Sequence, residues 1–140
     1  MTEDDIQLVV DARNESRGFL TSQNEITYAD GKRYWENFVQ AGLIDVFICL
    51  RDGVPAGFID FKRAECNIGI KLLEKYRSGV GRTALELAFR RIRKSEPTKE
   101  ILADIKNTNT TMLNTAPKCG FELVDADDIH HHWRVPLEFK

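Results

Sequence analysis

The chain opens with two segments in which apolar residues recur every three or four positions, the spacing of one helix face. Ile6 and Val9 begin the first pattern, which predicts a helix over residues 2–20. Thr27 stands where a second helix needs its cap, and the pattern extends this helix to about residue 41. Two helices are therefore expected before the first strand.

The rest of the chain contains short apolar runs, several of which alternate with polar residues as strands do. Asp52-Gly53 separates the first two runs and is a strong signal for a tight hairpin turn. The six predicted strands cover residues 44–51, 54–63, 65–73, 100–106, 121–126 and 129–139.

One long helix interrupts this series between the third and fourth strands. Its apolar stripe begins at Val80, and Pro97 prevents the helix from continuing. The stripe consists of Val80, Ala84, Leu85, Leu87, Ala88, Phe89 and Ile92. A helix between two strands implies a crossover, so the strands ending at Leu73 and Lys106 should pair in parallel within a mixed sheet. A ligand can enter where these two strands part.

The junction between the third strand and the long helix carries two glycines, Gly79 and Gly81, flanked by Arg77 and Arg82. Glycine lets the backbone turn sharply and approach a ligand closely. The free amides and the dipole of a helix's first turn attract an anion, most often a phosphate. Taken alone, the spacing fits a phosphate-type site and a plain strand-to-helix turn equally well.

Composition narrows the class of protein. A chain of 140 residues is large enough for one domain with its own core, and its net charge of −2 gives no basic face for nucleic acid. No apolar run is long enough to span a membrane, and the first residues do not read as a signal peptide. The odd number of widely spaced cysteines favours reduced thiols, so we expect a cytoplasmic protein.

Three consecutive histidines, residues 130–132, raise the question of a metal site. On a strand, His130 and His132 share one face and His131 points away. Two histidines without a suitably spaced carboxylate or cysteine make a poor zinc site, so no metal is predicted.

Two motifs together resemble the GNAT family, the Gcn5-related N-acetyltransferases. The family's glycine loop, Arg/Gln-x-x-Gly-x-Gly/Ala, is matched at Gly79-Val80-Gly81, although Tyr76 stands where the pattern has Arg or Gln. The family's second motif, an Asn followed a dozen residues later by Gly-Phe, is matched by Asn109 and by Gly120-Phe121. The resemblance covers nearly the whole chain.

The resemblance implies an α/β fold over residues 1–140, in a single acyl-CoA-binding domain. Its sheet should be mixed and mostly antiparallel, with a central splayed parallel pair and helices on both faces. The family normally has a strand before the first helix, and we expect that strand to be missing here. We expect the sheet edge that this strand would cover to be open or to be covered by another part of the protein.

The resemblance also implies acetyl-CoA as the cosubstrate and names the residues that would bind it. The pyrophosphate would lie against the loop, whose residues are Arg77, Ser78, Gly79, Val80, Gly81 and Arg82. Main-chain amides of Leu72 and Leu73 would polarise the thioester carbonyl, and Asn109 would bond the pantetheine arm. A plain role for Asn109 is to cap the following helix, and the two roles are compatible.

The implied activity is transfer of an acetyl group to a primary amine of a small molecule, with an amino sugar or a polyamine among the acceptors. Nucleic acid and membrane are not expected partners, and a homodimer is one expected assembly. Many family members place a tyrosine acid where this chain has Ala116. The alternative is therefore a GNAT-like module that binds acyl-CoA without turnover.

Three carboxylates are candidates for the general base. Asp60 lies in an apolar run, Glu65 begins the predicted strand toward the cofactor, and Asp104 lies beside the expected splay. For each of them, a structural ion pair or an exposed strand face is the more ordinary role.

Overall fold

A computed structural model describes residues 1–20, 24–76 and 80–135. Its helices are α1 (Ile6–Glu15), α2 (Tyr28–Tyr34), α3 (Gly81–Ser95) and α4 (Thr110–Thr115). Its strands are β1 (Ile44–Arg51), β2 (Val54–Lys62), β3 (Asn67–Leu72), β4 (Ile101–Lys106), β5 (Glu122–Ala126) and β6 (His130–Val135). The strands form one sheet in the order β1-β2-β3-β4-β6-β5.

The first predicted helix is shorter than its apolar pattern suggested. α1 ends at Glu15, and a separate 3₁₀ turn covers Arg17–Phe19. The second helix has the predicted cap, since the Thr27 hydroxyl accepts a hydrogen bond from the Asp30 amide at 3.2 Å. It then widens from α2 into a π-helical turn over Trp35–Val39.

All six predicted strands are present, and their ends differ by a few residues. β3 begins at Asn67 because residues 63–66 form a turn in which Cys66 takes a positive φ of 53°. Glu65 therefore belongs to the turn and does not begin the strand. The hairpin at Asp52-Gly53 is confirmed, with positive φ at both residues. The last residues of the sixth predicted strand, 136–139, lie outside the described part of the chain.

The predicted parallel pair is β3 with β4, and every other pairing in the sheet is antiparallel. β3 and β4 are paired only at Asn67 and Leu102, where the Leu102 amide donates to Cys66 O at 2.7 Å. Beyond this point the two strands separate, while β3 stays bonded to β2 and β4 to β6. The sheet is thus split at its centre.

Helices cover both faces of the sheet, as expected. Alternation along β2 sends Ile59 and Phe61 into the core beneath α3, and sends Phe58 into a smaller core beneath α1. Tyr34 packs against the smaller core. Within the described residues, no helix is long and apolar enough to cross a membrane.

β1 is an edge strand, since no other strand of the described chain pairs with its outer side. The amino-terminal ammonium lies at this edge and donates to Val46 O at 3.2 Å. Among the described residues, no strand precedes α1.

Gly57 permits β2 and β3 to approach each other closely beside the cleft. Its φ is +155°, and a Cβ added there would lie 2.2 Å from Lys71 O. Since this neighbour is backbone, Gly57→Ala should lower the free energy of unfolding by about 2–5 kcal/mol, through strain and overpacking. Urea unfolding measures the change.

The matched control is Gly18→Ala, because nothing lies within 4 Å of a Cβ at Gly18. This control should shift stability by less than about 1 kcal/mol. An equal loss in both variants would show that the contact at Gly57 does not constrain the sheet.

Candidate active site

The split between β3 and β4 opens a cavity of about 590 Å³. On the α3 side of the sheet, Gly81 and Asn109 line it at the starts of α3 and α4. On the α1 side, Asp60, Lys71 and Asp104 line it. The cavity therefore passes through the sheet and connects its two faces.

The cleft is edged by backbone amides of β3. The Leu73 amide donates to Ala56 O at 2.8 Å and so faces β2. Because successive amides of a strand alternate in direction, those of Ile70 and Leu72 face β4, from which the strand has separated. Leu72 has the amide direction expected of a carbonyl-polarising donor. Leu73 does not, since its amide is already bonded within the sheet.

Ser16 fixes the position of Leu72 from the other side of the sheet. Its side chain is buried where α1 ends, and its hydroxyl donates to Leu72 O at 3.3 Å. Sequence reasoning missed Ser16, because the contact joins residues 56 positions apart.

The described part of the glycine loop begins at Val80, and the predicted contacts of Arg77, Ser78 and Gly79 lie outside the described residues. Val80 is buried in the core, whereas Gly81 and Arg82 line the cavity. A Cβ added at Gly81 would lie 3.9 Å from side-chain carbons of Ile70 and Leu72, an ordinary van der Waals distance, so a methyl group fits beside this backbone. The first amides of α3 have no partner within their own helix, and no side chain of the described residues caps them.

Asn109 caps α4, which is the structural role predicted for it. Its Oδ1 accepts from the Met112 amide at 3.3 Å, which leaves the Nδ2 group as a donor beside the cavity. The two roles predicted for Asn109 are thus compatible in the structure.

Ala116 does not stand beside the cavity. It begins the 3₁₀ turn Ala116–Cys119, is fully buried in the core, and accepts a hydrogen bond from the Phe121 amide at its carbonyl. The α4 residue that lines the cavity next to it is Thr115, whose hydroxyl donates to Thr111 O at 2.9 Å. Ala116 therefore packs in the core and does not line the cleft.

Asp60 is the buried carboxylate of the site. Its side chain is 8% exposed and accepts a hydrogen bond from Lys71 Nζ at 2.9 Å. The ion pair joins adjacent strands β2 and β3 and forms the floor of the cavity on the α1 side. The predicted ion-pair role of Asp60 is confirmed.

Asp104 also lines the cavity, and both of its carboxylate oxygens are occupied. Oδ1 lies 2.6 Å from His132 Nδ1, and Oδ2 accepts from Asn67 Nδ2 at 3.3 Å. Glu65, the third candidate base, lies in the turn before β3, at the end where β3 and β4 are still paired, and does not line the cavity. The structure thus brings Asp60 and Asp104 to the cleft and leaves Glu65 away from it.

His132 bridges β4 and the loop before β6. Its second ring nitrogen, Nε2, lies 2.9 Å from Asp127 Oδ2, so each nitrogen faces a carboxylate. These hydrogen bonds, first to Asp104 and then to Asp127, raise the pKa of His132 to about 9. Bonds from the His130 and Ile129 amides and from His132 hold the pKa of Asp127 well below its ordinary value.

The three histidines do not form a metal site. His131 Nδ1 lies 2.6 Å from Asn107 Oδ1, on the opposite face from His132. Among the described residues, no group of three or more metal-ligating side chains converges. The sequence argued against zinc on spacing, and in the structure the rings of His131 and His132 make hydrogen bonds within the protein.

Several solved structures with a similar fold are N-acetyltransferases. The chain is similar to a ribosomal-protein-alanine N-acetyltransferase from Brucella melitensis, with a TM-score of 0.77 and 17% identity over 96% of this chain and 94% of that one. It is similar to a GNAT-family acetyltransferase from Bacillus anthracis, with a TM-score of 0.79 and 15% identity over 99% and 93%.

A third similar structure is an N-acetyltransferase from Campylobacter jejuni in complex with acetyl coenzyme A, with a TM-score of 0.74 and 17% identity over 96% and 91%. No family model and no curated protein sequence matches the chain. These matches rest on structure and not on sequence. They define a class of fold, a mixed sheet that splits at its parallel pair of strands. Within that class, the chain has the GNAT fold that its motifs predicted.

The His132 contacts predict how stability depends on pH. The His132 pKa is raised from 6.5 to about 9, so its stabilisation is complete below pH 6.5 and lost as the pH rises through about 9. The Asp127 pKa is lowered from 3.8, so its contribution is complete above that pH and lost as the pH falls through the lowered value. The difference in unfolding free energy between wild type and His132→Gln should be largest between these limits, near pH 4–6.5.

Urea unfolding across the pH range measures this difference, and NMR titration of the His132 ring measures the pKa itself. Asp127→Asn is the matched variant and should lower the midpoint toward 6.5 by removing one of the two carboxylates. A His132 midpoint near 6.5 in the wild-type protein would contradict the bridging geometry.

Proposed function

We propose that the protein is an acetyl-CoA-dependent N-acetyltransferase that acts on a primary amine of a small molecule. The observation that carries this proposal is the pair of β3 amides, Ile70 and Leu72, that face the cleft without a strand partner. Unpaired backbone donors at a strand split can bond a ligand's amide and stabilise the oxyanion formed when a thioester is attacked. The similar solved structures, one of them bound to acetyl coenzyme A, support the same cosubstrate.

The cosubstrate would lie along the α3 side of the cleft. Its pyrophosphate would meet the unpaired amides at the start of α3, with Arg82 at the rim. Asn109 Nδ2 would donate to a carbonyl of the pantetheine arm. In this arrangement the pyrophosphate would lie at the start of α3, and the pantetheine arm, which is rich in amides, would lie along the free edge of β3.

The acceptor amine would approach from the α1 side of the sheet. Its nitrogen forms a bond to the thioester carbonyl carbon, and the carbon–sulfur bond breaks to release the thiolate. Asp60 is the preferred base, because it is buried beside the cleft and its carboxylate already accepts a hydrogen bond from an ammonium group. Asp104 is less suited, since Asn67 and His132 occupy both of its oxygens.

The leaving thiolate would take its proton from water. Ala116 has no acidic proton and lies in the core, so it has no part in this step. A dedicated acid typically contributes about 10²–10⁴-fold to a rate, and we therefore expect turnover slower than in enzymes that have one.

The second candidate function is a non-catalytic acyl-CoA-binding module. The observation that favours it is that both cleft carboxylates have protein partners, Lys71 and His132, at less than 3 Å. A base that stays paired cannot accept a proton from a substrate. The two functions share the cosubstrate site and differ in turnover.

Acetyl-CoA binding is tested with Gly81→Val. A Cβ at this position makes only ordinary van der Waals contact with Ile70 and Leu72, so we expect the main effect of the side chain to be the obstruction of a ligand against this backbone. Affinity measured by calorimetry should fall at least tenfold, about 1.4 kcal/mol. Thr83→Val is the control, because it places the same side chain in the same helix, away from the cleft.

Both variants should fold as wild type does, as judged by circular dichroism. Unchanged affinity in Gly81→Val would remove the start of α3 from the binding site. Equal losses in the two variants would mean that the helix, and not the ligand contact, had been disturbed.

Turnover is tested by mixing acetyl-CoA with amino sugars, polyamines and short peptides, and detecting free thiol with a thiol reagent. The rate should rise with pH as the acceptor amine loses its proton. Asp60→Asn should lower the rate about 10²–10⁴-fold if Asp60 is the base, with acetyl-CoA affinity retained. Tight binding without thiol release across the panel would favour the non-catalytic module.

A further inference from the structure

The cleft already contains a primary amine supplied by the protein. Lys71 extends from β3 on the α1 side, and its side chain is only 17% exposed. Its Nζ lies 2.9 Å from Asp60 Oδ1 and 5.6 Å from the centre of the Phe58 ring. A lysine amine is thus held in one place beside the carboxylate that we assign as the base.

Gly69 makes the space in which this amine lies. A Cβ built at Gly69 would be 2.9 Å from Lys71 Nζ and 2.8 Å from Asp60 Oδ1. The ion pair therefore packs directly against the backbone of β3, next to the gap that separates this strand from β4. Any larger residue at this position would displace the pair.

Lys71 also stands between the two residues whose amides face the cleft. Its neighbours Ile70 and Leu72 would donate to the thioester carbonyl, and all three residues line the same cavity. An acyl group bound at either amide would therefore lie beside the residue that carries the amine. The nucleophile and the oxyanion donors thus lie on β3, and the base lies beside them on the adjacent strand β2.

From this juxtaposition of Lys71, Asp60 and the free β3 amides, we propose that Lys71 is a self-acetylation site. The proposal rests on the proposed function, because acetyl-CoA is the acyl donor. The Lys71 ammonium gives a proton to Asp60, and the neutral Nζ then forms a bond to the thioester carbonyl carbon. The carbon–sulfur bond breaks, and the thiolate takes the second proton lost by the nitrogen, which leaves CoA thiol and acetyl-lysine.

Acetylation would change the site as well as the lysine. The acetylated nitrogen is neutral, so Asp60 loses its cationic partner inside the cavity. Once Asp60 has passed its proton to water, its carboxylate is free to bind the ammonium of an incoming acceptor. Lys71 thus occupies the acceptor position until its own amine has been acetylated.

The test incubates the full chain with acetyl-CoA and no added amine, and follows the protein by intact mass and peptide mapping. One acetyl group should accumulate at Lys71, at least about tenfold faster than at the other lysines of the same molecule, because the amine is held beside the donor. Lys62 and Lys118 are the internal references. The rate constant should not change on dilution of the protein at fixed acetyl-CoA, since the reaction is intramolecular.

Three variants sharpen the test. Lys71→Arg keeps the positive charge against Asp60 but has no nucleophilic amine, so the fast modification should be lost while circular dichroism stays unchanged. Gly69→Ala should slow acetylation of Lys71 by displacing the pair. Gly81→Val should slow it at subsaturating acetyl-CoA, without altering the background at Lys62.

Calorimetry on the same sample separates the two proposals. Binding of acetyl-CoA with Lys71 modified no faster than Lys62 would overturn self-acetylation and leave the proposed function standing. Failure of acetyl-CoA to bind would overturn both. Fast modification that persists in Gly81→Val, or that scales with protein concentration, would also contradict an intramolecular transfer from a bound donor.

Discussion

The structure depends on one constraint, the early separation of β3 and β4. The two strands share a single residue pair, and each then remains bonded to its other neighbour, β2 or β6. Strand amides that face an open gap lack the partner that buried backbone groups normally have. The gap is therefore the weak line of the sheet and, under the proposed function, the place where the amides of a ligand would complete it.

Charge in the cleft is arranged by contacts between strands. Lys71 neutralises Asp60 across β2 and β3, and His132 binds Asp104 across β4 and β6. Each carboxylate that could serve as a base thus already has a cation or a ring nitrogen against it. Chemistry at this site therefore requires a partner to move, and acetylation of Lys71 is one way in which Asp60 would be released.

Much of the fold was predictable because it follows local patterns. Alternation predicted the six strands, Asp52-Gly53 the hairpin, and the order of elements the parallel pair. The motif at Asn109 likewise predicted a helix cap that is present. The register was not predictable, and it is the register that directs the Leu72 amide to the cleft and the Leu73 amide to β2. The burial of Ala116 was likewise not predictable, because spacing does not say which side of a short helix meets the core.

A crystal structure with acetyl-CoA bound tests the central claim most directly. The account predicts that the ligand lies between β3 and β4, with its pyrophosphate at the first turn of α3. Its thioester carbonyl should accept a hydrogen bond from the amide of Ile70 or Leu72. Acetyl-CoA bound elsewhere, or in the cleft with its carbonyl bonded to neither amide, would contradict the account.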